Sequence, residues 1–291
     1  KNMKIKKRPT SGKNYAKYGY SPNIIEIFFR IFFKFIIKIF LIDGNTKLSN
    51  IFLQLINPET SSIFQNKVIR FRTGHGRLFW RAKTLHTEEP MMIDWIKKMN
   101  KKDIFLDIGA NVGTYTIPSA IKCKHVYACE LDPLNVGTLK ENMFLNKLTK
   151  KITLLPFPAT SKNKVVNIFY RDHSMGDALQ SINRATPLNI VNTNKNHILK
   201  QLGFSLNFIF KEFNLNQPTK IKIDVDGNEK EVFAGAYNII FKAKEVYFED
   251  SGLKDCEKII TLFKKNKFKI VSREKPLKSR LGENILFRRK F

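Results

Sequence analysis

Acidic side chains are scarce in this chain: its 291 residues carry 25 Asp and Glu against 52 Lys and Arg, a net charge of +27. Such an imbalance rules out a charge-neutral surface and brings nucleic acid, anionic lipid and acidic substrates into view as partners. A plainer cause competes with them. Lys, Asn, Ile and Phe are frequent together, as a biased genome composition produces, and lysine then spreads over the whole surface. Two regions exceed that background. Residues 1–20 hold seven basic residues and no acidic one, and residues 261–291 hold eleven basic residues against Glu274 and Glu283.

Cysteine is scarce too. Cys123, Cys129 and Cys256 are odd in number and form no C-x-x-C pair, which argues against a disulfide framework and for free thiols in a reducing compartment. The expected location is the cytoplasm, with the inner face of a membrane as a variant. The five histidines (His75, His86, His125, His173, His197) show no metal-binding spacing, so no metal is assigned. Long unbroken apolar runs are missing from residues 24–42, where none exceeds four residues; a cleavable signal peptide is excluded there.

What that segment does have is fifteen apolar residues of nineteen, with charges only at Glu26, Arg30, Lys34 and Lys38. On a helix this i, i+4 series makes one narrow polar stripe. Three readings stay open: packing on its own domain or a second subunit, lying in a membrane interface with the cationic stripe on lipid phosphates, or spanning a membrane. Charges spread along the whole length make spanning costly.

The most informative stretch is Ile104-Phe-Leu-Asp-Ile-Gly-Ala-Asn-Val-Gly113. An apolar strand runs into Asp107 and then into a turn with Gly109 and Gly113, before a helical pattern. Glycine accepts positive φ and lets backbone approach a ligand, so the turn reads as a nucleotide-cofactor crevice at a strand end. A dinucleotide loop would read G-x-G-x-x-G. Here a carboxylate precedes the first glycine, which would repel a diphosphate and suits the ammonium-bearing cofactor S-adenosylmethionine. Glu130 ends the next apolar run, placed to accept hydrogen bonds from both ribose hydroxyls.

With Asp107-Ile-Gly-Ala-Asn-Val-Gly113, Glu130-Leu-Asp-Pro133 and Lys222-Ile-Asp-Val-Asp-Gly-Asn-Glu229 in place, the chain resembles the FkbM-type family of S-adenosylmethionine-dependent methyltransferases. Gly203-Phe-Ser-Leu206, Glu89-Pro90 with Trp95, and Asn284-Ile-Leu-Phe287 are weaker matches. The family usually carries Glu where this chain has Asp226, a side chain one methylene shorter with the same charge. The resemblance implies O-methylation, often of sugars or glycan-bearing metabolites, on a Rossmann-like seven-stranded α/β sheet. It implies cofactor contacts from Asp107, Gly109, Ala110, Asn111, Gly113, Glu130 and Leu131.

The pattern itself predicts an α/β domain. Strands are expected near 103–109, 125–131, 152–159, 220–226, 244–250, 267–273 and 284–290, and helices near 113–122, 133–146, 205–213, 229–241 and 254–265. The last two strands should form an antiparallel hairpin, and residues 165–171 an extra strand. Residues 67–82 read as a β-hairpin around Gly74-His-Gly76, and 172–200 as an irregular lid or substrate loop. The expected division is a disordered basic arm (1–22), an amphipathic helical extension (23–66) and the methyltransferase domain (67–291).

Alternation puts Lys222, Asp224 and Asp226 on one face at a strand end, a costly placement unless they are paired or functional. All three are the candidate catalytic residues, set against the plainer reading of an ion network capping the next helix through Asn228 and Glu229. Asp224 is the first candidate to accept a proton from an attacking hydroxyl, and His173 the second. Glu249 and Asp250 could join Asp224 around magnesium, but spacing across three strands assigns no metal. The Asn/Asp-Pro-Pro-Tyr/Phe pattern of base N-methylation is missing. That weighs against a base acceptor and leaves a ribose hydroxyl open. The resemblance implies a small-molecule or glycan acceptor as partner, with peripheral membrane contact through residues 24–42 as one of the open readings, and nucleic acid is not the expected partner. The competing reading is a basic membrane- or RNA-associated protein with a vestigial methyltransferase fold.

Overall fold

The computed structural model describes residues 24–42, 58–74, 76–170, 175–178, 180–183, 198–275 and 282–290. The expected basic arm, and most of the 172–200 loop with His173, lie outside them. Helix α1 (Ile24–Ile42) comes first, and its described apolar side chains face solvent, with Ile24 85% and Phe28 63% exposed. Phe28 stacks on Phe32 and Phe29 on Phe33, rings one turn apart. No helix among the described residues is long and apolar enough to cross a membrane, which removes the spanning reading.

Strands β1 (Glu59–Phe64) and β2 (Lys67–Arg72) pair antiparallel around Gln65-Asn66, whose φ values are 46° and 63°. Two successive left-handed residues make the turn whose twist matches its strands. The hairpin expected over 67–82 is therefore displaced toward the N-terminus, and the boundary expected at residue 66/67 falls inside its turn. Residues Gly76–Lys83 form helix α2 instead of a returning strand. Leu78 and Ala82, at i and i+4, are both buried, and helical spacing served that side better than the short alternation in 77–83. Helix α3 (Pro90–Lys97) follows, with proline at a first-turn position where its missing N–H costs nothing.

The central layer alternates strands and helices: β3 (Ile104–Ile108), α4 (Thr116–Lys122), β4 (His125–Cys129), α5 (Pro133–Leu145) and β5 (Ile152–Leu155). Strands β6 (Lys164–Phe169), β7 (Ser181–Ile182) and β8 (Ile198–Gly203) form a separate three-stranded sheet in the order β7-β6-β8. The chain then returns through α6 (Leu206–Glu212), β9 (Lys220–Ile223), α7 (Glu229–Lys242), β10 (Glu245–Asp250), α8 (Lys254–Lys265), β11 (Phe268–Glu274) and β12 (Glu283–Arg289). The main sheet has seven strands in the order β11-β12-β10-β9-β3-β4-β5. The pairs from β10 through β5 are parallel, and β12 runs antiparallel to both β10 and β11. This is the expected seven-stranded α/β sheet with a helical and hairpin extension before it. The helix expected from residue 113 begins at Thr116, because the glycine turn extends further than its pattern suggested.

Period-2 alternation splits the core into two layers. Leu106, Ile108, Tyr127, Ile221, Ile223, Val246 and Phe248 face α6, α7 and α8. Phe105, Val126, Ala128, Tyr247 and Leu286 face the hairpin, α3, α4 and α5. In the first layer Phe263 of α8 lies on Phe287 of β12 with ring centroids 4.1 Å apart. A fully buried ring of this kind stabilises by about 2–3 kcal/mol. On the second face β9 offers two lysines, and both are buried and paired. Lys220 bonds to Glu245, which also accepts from Trp95 Nε1 at 2.7 Å and Arg288 Nε at 2.6 Å. That network ties α3 to the sheet. Lys222 points toward the strand end, where the candidate site lies.

Candidate active site

Strand β3 stops at Ile108 because Gly109, at φ +84°, turns the chain; its N–H and that of Ala110 both donate to the Cys129 carbonyl. A Cβ on Gly109 would lie 1.8 Å from the Asp224 carbonyl oxygen, so only glycine lets this loop touch the end of β9. Gly113, at φ +86°, faces the Leu139 side chain of α5. The ends of β3, β4, β9 and β10 surround a cavity of about 250 Å³.

On its β4 side lies Glu130. Its Oε2 accepts from the Asn111 backbone N–H at 2.7 Å and its Oε1 from that of Asp132 at 2.8 Å. Burial pushes its carboxyl up to about 7 against the pull of those two bonds. A carboxylate has about four acceptor positions, so acceptor capacity remains for hydroxyls. Asn111, at φ +50°, also donates through Nδ2 to the Asp177 carbonyl at 2.7 Å. Asn135 donates to the same carbonyl, and Arg77 pairs with the fully buried Asp177 carboxylate at 2.7 Å. The stretch around Asp177 is thereby fastened beside the cavity, with Ala178, Gln180 and Ile182 on its wall. Asn228 stands at the N-cap of α7 without capping it; its side chain bonds Ile182 N–H and the Gln180 carbonyl instead.

On the β9 side, Lys222 is 1% exposed. Its Nζ donates to Asp224 Oδ2 at 2.7 Å and stands 3.6 Å from Asp107 Oδ1. Burial works against the ammonium, but Asp224 and Asp107 outweigh it and hold its proton more tightly than usual. Burial alone would raise Asp224; Lys222 reverses this and holds the carboxyl down at about 2. Glu249 of β10 shares a hydrogen bond with Asp224, and burial together with that neighbour pushes its carboxyl well up. Carboxylate oxygens of Asp224, Asp226 and Glu249 all lie within 4.8 Å of one another. Lys222, bonded to Asp224, offsets part of that charge, and we assign no metal to the cluster. Asp226 has φ +50° and lines the cavity.

Of the expected cofactor residues, Gly109, Ala110, Asn111, Glu130 and Leu131 reach the wall. Asp107 and Gly113 lie behind it. Asp107 is 1% exposed, accepts from Thr116 Oγ1 at 2.6 Å and faces Lys222, so it meets the cavity only through that lysine. The three candidate catalytic residues, Lys222, Asp224 and Asp226, are together on the wall. Alternation along the strand did not single out four further wall residues: Trp80 and Arg81 of α2, Glu89 before α3, and Tyr115. The Glu89-Pro90 pair, already a weak family match, was the one available signal.

The residues fit a cofactor with hydroxyls at one end and positive charge at the other. Glu130 can accept from hydroxyls, and Thr114 Oγ1 is buried beside the cavity with no hydrogen-bond partner among the described residues. Carboxylates crowd the opposite end.

The chain is similar to proteins that transfer methyl groups. The model of the methyltransferase FkbM domain matches residues 107–270. A tRNA (guanine(37)-N(1))-methyltransferase of Phytophthora infestans is 30% identical over 83 residues, 28% of this chain and 19% of that protein. Its counterpart in Dictyostelium discoideum is 34% identical over 96 residues, 32% of this chain and 20% of that protein. The chain thus matches about a fifth of the length of these curated relatives. A crystal structure of methyltransferase FkbM from Methylobacillus flagellatus superposes with a TM-score of 0.45 at 16% identity, covering 65% of this chain and 44% of that one. These relatives correct one expectation. Nucleic acid was set aside because a base-methylation pattern is missing at the end of β9, yet the matching relatives are named for tRNA methylation. A four-residue pattern reports one way of holding a base and was too narrow to exclude a whole class of partner.

Proposed function

The chain belongs to the FkbM-domain methyltransferases, and from that premise we propose that it carries a methyl group from S-adenosylmethionine to a hydroxyl oxygen of a sugar, glycan or related metabolite. The observation that supports this most is the charged end of β9. Lys222, Asp224 and Asp226 share one cavity wall, with Glu130 on the β4 side. The bound cofactor supplies an electrophilic methyl on a positively charged sulfur. The chain supplies position and exclusion of water. Glu130 and the 109–111 loop hold the hydroxyl-bearing end. Lys222 fixes the Asp224 carboxylate, which accepts a hydrogen bond from the acceptor hydroxyl and orients its oxygen. The acidic strand end suits an alcohol acceptor, because a carboxylate can accept a hydrogen bond from an O–H and orient its oxygen.

A second reading places the acceptor on RNA. The tRNA-methylating relatives and the net charge of +27 favour it. The purified chain, given S-adenosylmethionine with a tritiated methyl group, separates the two when offered a mixed carbohydrate pool and a tRNA pool side by side. Label in carbohydrate that survives nuclease treatment is the expected result. Label confined to methylguanine in tRNA would replace the first reading with the second.

A further inference from the structure

Glu89 lies outside the region that the family model matches, yet its side chain lines the cavity beside Tyr115, Lys222, Asp224 and Glu249. It occupies the N-cap position of α3 with φ −133° and ψ 77°, and it makes no capping bond. The capping is done from elsewhere: Glu274, at the end of β11, accepts from the Met91 N–H with both carboxylate oxygens at 3.2 Å. Glu89 is thereby left for the cavity. Tyr247 Oη donates to its Oε2 at 3.4 Å, and the Tyr115 hydroxyl also bonds to it. Tyr247 stacks on Trp95 with centroids 5.7 Å apart, so the carboxyl's support is anchored to the α3 network.

The other carboxyls on this wall are compromised as bases. Asp224 is committed to Lys222 at 2.7 Å, and a carboxylate held near 2 takes protons poorly. Burial and the neighbouring Asp224 push the Glu249 carboxyl well above its ordinary range. Glu89 has no cation bonded to it among the described residues. The charged and titratable groups facing it are Asp224, Lys222 and Glu88, with Glu249, the Tyr115 and Tyr247 hydroxyls, and Arg81 close behind. Burial first, then Asp224, pushes it up to about 8, so at neutral pH it is mostly protonated until positive charge enters the cavity.

We propose that Glu89 is the group that takes the proton of the attacking hydroxyl, and that the cofactor's positive charge is what readies it by driving off the proton it holds. This rests on the hydroxyl-acceptor reading above. In the step, the acceptor oxygen forms its bond to the methyl carbon and the carbon–sulfur bond breaks. That bond's electron pair stays on sulfur, which becomes a neutral thioether, and the hydroxyl proton passes to a Glu89 Oε. Atoms and charge balance without another reactant. Asp224, held by Lys222, orients the hydroxyl for the transfer.

The test does not depend on knowing the acceptor. Calorimetric titration of the full chain with S-adenosylmethionine at pH 7.5, in two buffers of different ionisation enthalpy, counts the protons released on binding. The wild type is expected to release on the order of half a proton or more. Glu89→Gln should lose most of that release while binding S-adenosylhomocysteine, whose sulfur is neutral, within about threefold of wild type. The wild type should release much less with this neutral ligand. Equal release by wild type and Glu89→Gln would overturn the proposal, and so would failure of the wild type to bind S-adenosylmethionine. Whichever pool takes label in the methyl-transfer experiment then serves as acceptor for Glu89→Gln, where a loss of about 10²–10⁴-fold is expected. Glu89-dependent proton release with no label in any hydroxyl would sink the acceptor reading and with it the role of Glu89 as base for a hydroxyl, and would leave only the coupling between cofactor charge and the Glu89 proton.

Discussion

At the end of β9, Asp224 meets Lys222 at 2.7 Å; before α3, Glu89 meets the hydroxyls of Tyr115 and Tyr247. Both carboxyls border the same cavity and both are pushed up by burial, yet one is held at about 2 and the other at about 8. The buried ammonium of Lys222, bonded to Asp224 and not to Glu89, is the main cause of the contrast, and the Asp224 charge adds to the rise at Glu89. Where a cation is within bonding distance, its attraction exceeds the desolvation cost; where it is not, desolvation decides. Charge partners, more than the residue type, set what each acidic side chain can do.

Removing the ammonium breaks the comparison most severely. Lys222→Met leaves Asp107 and Asp224 buried without their cation and should destabilise the fold by about 3–5 kcal/mol. Urea unfolding measures this; a loss below about 1 kcal/mol would mean that the two carboxylates find other partners. The next largest effect tests the contact between the β3 turn and β9. Gly109→Ala places a methyl on the Asp224 carbonyl at positive φ and should cost about 2–4 kcal/mol. Gly137 in α5 has open space around its Cβ position, so Gly137→Ala should stabilise by about 0.5–1 kcal/mol. Thermal melts of the pair test the contrast, and equal effects would deny that the 109 turn is pinned.

The smallest effect concerns pH. Glu89 sits above its ordinary value in the folded protein, so the stability it contributes is complete below about 4.5 and is lost as pH rises through about 8. Asp224 runs the other way: its contribution is present above about 3.8 and is lost as pH falls toward about 2. Glu130 and Glu229, each raised to about 7 by burial, add slopes common to wild type and variant. Melting temperatures from pH 5 to 8.5 should therefore fall more for wild type than for Glu89→Gln. Parallel curves would place the Glu89 carboxyl in its ordinary range.

Much of the sheet was readable in advance because its signals are local. Apolar runs of strand length, the Gly109 and Gly113 turn and Pro133 at the start of α5 each act within a few residues. The first hairpin was misplaced for the same reason. The positive φ values at Gln65 and Asn66 carry a weaker signature than Gly74-His-Gly76, and the latter drew the turn toward itself. Asp107 has contacts that its motif does not announce. Its spacing before the glycines marks the turn, but its side chain is spent on Thr116 and Lys222 behind the wall.

The sequence alone determined the order of strands and helices through the sheet and the set of charged residues at strand ends, since alternation and turn chemistry are decided by neighbours along the chain. The tertiary structure decided which of those charges cancel and which stay available. Lys222 lies 113 residues from the Gly109 carbonyl it approaches, and Tyr247 lies 158 from Glu89. Protonation depends on charge, burial and distance in space. No spacing along the chain encodes those until the sheet brings its strand ends together.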